Sequence, residues 1–342
     1  MTRKSGGNAP DLYADPFGEH PTRTTKVEIG LLGARFTFES RSRRLIQLAL
    51  SAYAGLPQHR LSRASPKLTV RLLLRAGKAS RTRRRSEPAE LDMFSGGDWL
   101  GAASRASDVV VLSPQQRSAL VVVSPQTLAF PYHTRYELIE FAVFTLAARC
   151  QQLASLHAAC VGLHGRGVLL MGPSGSGKST VTMLCLMLGF DFLAEDSVFV
   201  QPTTMMATGL SNFLHVRSDS LRWLDNQERA AVRRAPVIRR RSGVSKFEVD
   251  LRDSGRRLAR SALKLSAIVF LSSHRATGSS LLKPLSKSAL HAGLAREQAY
   301  AASRPEWPTF SANIAKLKAF ELRRGTHPRQ SVEALRSLLT SA

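Results

Sequence analysis

The sequence predicts an α/β fold, a P-loop domain behind a smaller N-terminal α+β module. Three observations carry this. Residues 172 to 180, Gly172-Pro173-Ser174-Gly175-Ser176-Gly177-Lys178-Ser179-Thr180, fit the phosphate-binding pattern G-x-x-x-x-G-K-[ST]. Before them, Val168-Leu169-Leu170-Met171 is a short apolar run of the kind that forms a buried parallel strand. After them, Val181 to Leu188 is apolar, suits a buried helix and stops at Gly189. A Gly/Ser linker that matched the pattern by chance would rarely be clamped between two such elements.

The other elements follow in order. Residues 1 to about 24 are polar with Pro and Gly, the composition of a disordered segment. Val27 to Gly30 and Arg35 to Phe38 predict a hairpin, and Arg43 to Ala54 carries Leu45, Ile46, Leu48, Ala49 and Ala52 at helical spacing. Leu68 to Leu74 predicts a strand, and Lys78 to Glu90 a basic loop holding Arg81-Thr82-Arg83-Arg84-Arg85. Asp108 to Leu112 and Leu120 to Val123 predict two paired strands, so the α+β module spans 25–135. Tyr136 to Cys150 predicts a buried helix opening the P-loop domain, 136–342. Leu156 to Leu163 reads as an apolar strand that carries His157, and His164-Gly165-Arg166-Gly167 as a turn. Further strands are expected at Phe192 to Ala194, Val198 to Val200, Phe247 to Leu251, Leu265 to Leu271 and Ala319 to Leu322. Ser331 to Leu339 closes the chain as an amphipathic helix.

The chain has 342 residues, is 43% hydrophobic and carries a net charge of +24. The apolar share supports a sizeable core. The charge attracts nucleic acid, anionic membrane or acidic peptides, but Arg is spread throughout and charge alone names no partner. No nucleic-acid motif and no interleaved basic-aromatic surface accompanies it. Cys150, Cys160 and Cys185 show no C-x-x-C spacing, and so sparse and odd a count suits a reducing compartment. The start lacks the apolar stretch of a signal peptide, and no run approaches the ~20 apolar residues of a membrane span. The reading is a soluble cytoplasmic protein with no membrane partner and nothing that marks it for nucleic acid beyond its charge; self-association is left open.

The loop's residue types dictate its chemistry. Glycines let successive N–H groups point inward at an anion. Lys178 would reach the β- and γ-phosphates of ATP, and the Ser179 hydroxyl would hold Mg²⁺. A carboxylate is also needed, and Phe192-Leu193-Ala194 ends in Glu195-Asp196, 17 and 18 positions after Lys178. One acid can hold Mg²⁺ while the other accepts the proton of an attacking hydroxyl. Arg217, Arg239, Arg240, Arg241 and Lys246 follow, and a cation there would offset charge developing on the γ-phosphate. Most of a basic run is solvated surface, so Arg217 is the first candidate and Lys246 the second.

His157, the loop at 172–179, Gly189 and the acids Glu195 and Asp196 share their spacing with a known family. Over Leu156 to Val200 the chain resembles the catalytic domain of the HPr kinase/phosphorylase family without a gap. The resemblance implies a P-loop kinase fold of that type, with His157 near the phosphates, Glu195 as catalytic base and Asp196 as the second acid. The family's first acid is normally Asp, and its Glu-x-Arg-Gly-Leu-Gly signature is absent here. Leu214-His215-Val216-Arg217-Ser218-Asp219-Ser220-Leu221 instead resembles a stretch of shorter relatives, which occur as stand-alone kinases and as tailoring kinases for lasso peptides. Arg217 stands in their basic slot. The resemblance argues against HPr itself as substrate.

The expectation is therefore an ATP- and Mg²⁺-dependent kinase acting on a Ser or Thr hydroxyl of a peptide or protein. A small-metabolite kinase and a nucleic-acid-associated ATPase are the alternatives. A transporter ATPase is excluded, because the chain has neither a Leu-Ser-Gly-Gly-Gln signature nor a late apolar strand ending in Asp-Glu.

Overall fold

The computed structural model describes residues 24–61, 65–75, 87–104, 108–252, 254–278 and 280–340. The expectations for residues 1–23 and for the Arg81 to Arg85 run lie outside the described residues.

The first part is a seven-stranded mixed sheet with helices on one face. Strands β1 (Thr25–Leu31) and β2 (Ala34–Ser40) form the expected hairpin. Helix α1 (Arg43–Tyr53) starts where the Ser42 hydroxyl accepts from the Leu45 N–H, a standard N-cap. Its Leu45, Ile46, Ala49 and Ala52 are buried, as their spacing requires. β3 (Lys67–Leu74), β4 (Leu91–Gly96), β5 (Trp99–Ser104), β6 (Val109–Ser113) and β7 (Ser118–Val123) complete the sheet in the order β1-β2-β3-β7-β6-β5-β4. β4 and β5 have no clean apolar alternation, because β4 is a largely exposed edge, and the sequence reading did not find them.

A π-helical turn (Thr134–Ile139) runs into helix α2 (Glu140–Gln151). Leu138, Ile139, Ala142, Val143, Leu146 and Ala147 pack into the first core. That core thus extends through this helix, beyond the division at 135/136 expected from the sequence.

The second part holds β8 (Ala154–Leu156), β9 (Ala159–Leu163), β10 (Arg166–Met171), helix α3 (Lys178–Met187), β11 (Asp191–Ala194), β12 (Val198–Gln201) and β13 (Met206–Gly209). Then come β14 (Phe213–Val216), β15 (Val237–Arg239) and β16 (Ser245–Asp250), a separate three-stranded sheet. β17 (Leu263–Arg275), β18 (Leu282–Pro284) and β19 (Lys318–Arg324) return to the large sheet, and helix α4 (Pro328–Thr340) packs on α3. The large sheet runs β11-β9-β10-β17-β13-β12-β8, with β19 also on β17.

Pairing directions decide what meets. β10, β17 and β19 are mutually parallel. β9 is antiparallel to both β10 and β11, so β11 runs the same way as β10. The carboxyl ends of β10, β11, β17 and β19 and the start of β9 therefore share one edge, where open α/β sheets bind ligands. Among the described residues no helix is long and apolar enough to cross a membrane.

A phosphate-binding loop facing an acidic strand end

The loop leaves β10 at Gly172 and enters α3 at Lys178. Gly172 has φ +142°, and a Cβ there would lie 2.9 Å from the Leu271 carbonyl oxygen. Gly177, the N-cap, has φ +103°. Both conformations exclude ordinary side chains, which explains the glycines. No side chain caps α3, so the N–H groups of its first turn face the loop's concavity. The Ser176 Oγ is buried and has no hydrogen-bond partner among the described residues. The Lys178 ammonium bonds to the Gly172 carbonyl oxygen. Burial lowers its pKa, against the pull of Asp196, Glu297 and Glu195 in that order. An uncapped helix start, a lone buried hydroxyl and a buried ammonium together fit a triphosphate. Ser179 and Asp196 carry oxygen atoms that could hold a Mg²⁺, and the Asp196 carboxylate is at the same time bonded to Arg240.

The two acids have separate environments. Glu195 is 5% exposed. Its Oε2 accepts from the His215 main-chain N–H at 2.8 Å and faces the His215 Nδ1 at 3.2 Å. The other His215 nitrogen faces the Glu248 Oε1 at 3.2 Å, so both ring nitrogens meet carboxylates and both are donors in the imidazolium. Burial opposes charge on this histidine, but the two acids outweigh it and raise its pKa. Burial likewise opposes charge on Glu195, and His215 outweighs it, so the Glu195 pKa falls below the usual carboxylate value. Arg135 extends the network by pairing with Glu248 and lying 3.7 Å from Glu140. Burial pushes Glu140 up to about 7.

Asp196 faces outward to the sheet edge, with 25% of its side chain exposed. Its Oδ1 lies 3.6 Å from the His157 Nδ1, and its Oδ2 accepts two bonds of 3.2 Å from Arg240. Burial opposes its charge, but Arg240, His157 and Lys246 hold it ionised, with a lowered pKa.

The structure brings most of the sequence-predicted residues together. His157 is not inside a strand as expected. It stands in the break between β8 and β9, and its side chain is 59% exposed. The strand breaks because Gln298, itself buried, takes both main-chain groups of His157: its Oε1 accepts from the His157 N–H at 2.9 Å, and its Nε2 donates to the His157 oxygen at 3.0 Å. Arg217 is half exposed and pairs with Asp219 at 3.4 Å, whereas Arg240 is the arginine on Asp196. Lys246 is half-buried, and Glu195 heads the charges acting on it. The sequence singled out neither Gln298 nor His215. The only trace of His215 was a histidine between apolar residues in a short strand.

No family model matches the chain, and no curated protein matches it. Among solved structures it is similar to the Hpr(Ser) kinase/phosphatase from Coxiella burnetii, at 10% identity and a TM-score of 0.29. The alignment covers 54% of this chain and 94% of that one. The likeness is a distant structural relationship.

Proposed function

We propose that the protein is an ATP-dependent kinase that transfers the γ-phosphate to a Ser or Thr hydroxyl of a peptide or protein. One observation carries the reading: the phosphate-binding loop, His157 and Asp196 occupy the same sheet edge. The loop N–H groups and Lys178 hold the phosphates. The acceptor oxygen attacks the γ-phosphorus, and the bond from that phosphorus to the bridging oxygen of ADP breaks. The acceptor proton passes to Asp196. His157 orients Asp196, and Arg240 offsets charge on the transferring group. A Mg²⁺ held at the Ser179 hydroxyl would neutralise phosphate charge, which leaves Asp196 free to act as the base.

Asp196 replaces Glu195 as the base in this reading. The carboxylate that His215 clamps is closed off from an acceptor, while Asp196 is partly open. A groove of about 520 Å³ is lined by Leu91, Phe141 and Phe144 together with the charged Glu90, Glu137 and Arg241, and reaches Ser197, the residue after Asp196. A polypeptide segment with apolar and basic side chains would complement this mixed, largely acidic lining.

The test is transfer of label from γ-³²P-ATP to an array of Ser- and Thr-containing peptides. The parent protein labels hydroxyl peptides, and Asp196→Asn lowers the rate by a factor on the order of 10² or more. Equal labelling by parent and Asp196→Asn would remove this mechanism.

A further inference from the structure

A second cleft adjoins the phosphate-binding loop on the side away from the acids. Its volume is about 330 Å³, inside the ~300–1,000 Å³ range of small-molecule sites. Gly175 to Gly177 and Thr180 form one wall. Val181, Leu271 and Leu322 contribute buried apolar surface. Trp223 and the Arg323 to Thr326 segment form the opposite wall. The Arg222 guanidinium lies 4.7 Å over the Trp223 ring, and His327 packs against that ring at 4.8 Å, so the indole is held in place. A further tie, Thr180 Oγ1 to Ser220 Oγ at 3.1 Å, joins α3 to the turn that carries Trp223.

Sheet order sets the direction of a bound triphosphate. Glu195 and Asp196 follow β11, and His157 precedes β9, both on one side of β10. The reactive phosphate must face them. The cleft lies against the ends of β17 and β19, on the other side of β10. A phosphate chain lying in the loop with its γ end toward Asp196 therefore runs its α end toward the cleft.

We infer that this cleft takes the nucleoside half of the bound nucleotide, a flat base and its sugar, with Trp223 as the aromatic contact. The inference rests on the proposed triphosphate site at the loop. The apolar surface of Val181, Leu271 and Leu322 suits a base, and the rim at Ser272, Asp219 and Thr326, flanked by the cationic Arg323 and Arg324, offers partners for sugar hydroxyls, ring nitrogens and the α-phosphate.

The test compares Mg²⁺-ATP with Mg²⁺-tripolyphosphate by titration calorimetry. Tripolyphosphate carries the phosphates without the nucleoside. Two variants are used. Trp223→Ala removes the aromatic contact. Thr326→Trp fills the cleft from an exposed position and leaves the core untouched. The parent protein should bind ATP more tightly than tripolyphosphate. Each variant should weaken ATP about tenfold or more and leave tripolyphosphate within about twofold. Tripolyphosphate binding as tight as ATP, or ATP binding unchanged in Thr326→Trp, would overturn the cleft assignment while leaving the loop reading intact. Failure of both ligands to bind the parent would overturn the loop reading and this inference with it.

Discussion

The Glu195 carboxylate and the His215 ring meet at 3.2 Å inside the protein, and the His215 main-chain N–H donates to the same oxygen at 2.8 Å. This double grip makes Glu195 a buried partner of a histidine and leaves Asp196 as the acid at the sheet edge. His215→Ala should leave the buried Glu195 carboxylate with its main-chain donor but without its charged partner, and cost roughly 3–5 kcal/mol of stability. Urea unfolding at pH 7 measures it, and a loss below about 1 kcal/mol would contradict the pairing.

Much of this arrangement was legible in the sequence. The loop, its strand and its helix were readable because glycine, apolar runs and a basic residue each have one local meaning there. The strand ending in Glu195-Asp196 was readable for the same reason. What could not be read was set by contacts between distant residues. Gln298 lies 141 positions from His157, and its hold on that backbone interrupts a run that looks like a continuous strand. Arg240 and Arg217 are equivalent as members of a basic stretch. Only the fold of β15 and β16 puts Arg240 against Asp196. The different surroundings of the two acids likewise depend on β14, which delivers His215 to Glu195.

Glu140 predicts a pH dependence of stability. Its folded pKa of about 7 stands above the ordinary carboxylate value of 4.5, with burial as the main cause. Between these values the folded state holds a proton that the unfolded state has released, so stability falls as pH rises through that window. His215 adds the same sign, since its raised pKa gives stability that is present below 6.5 and lost as pH passes its folded value. Glu140→Gln, which keeps shape without charge, should flatten the decline. The difference between pH 5.5 and pH 8 should shrink by roughly 1–3 kcal/mol, read from urea unfolding at both pH values. A slope unchanged by the substitution would contradict the burial of an ionising group at this site.

Arg240 donates to Asp196 and helps keep its pKa low. Arg240→Ala should raise that pKa, so the acid limb of the pH–rate profile moves to higher pH. The plateau rate should also fall, on the order of 10-fold to 100-fold, through lost stabilisation of the transferring phosphate. The profile of γ-phosphate transfer checks both effects. A lower plateau with an unmoved acid limb would mean that Arg240 does not act through Asp196.

The proposed reaction requires residues 172–180 to hold a nucleoside triphosphate through Lys178. Titration calorimetry of ATP against the parent protein and against Lys178→Ala, each with and without Mg²⁺, tests it most directly. Binding to the parent should depend on the metal, and Lys178→Ala should lose affinity by about 100-fold or more with its circular dichroism unchanged. Equal affinity for Mg²⁺-ATP in the two proteins, or no binding to the folded parent, would contradict it.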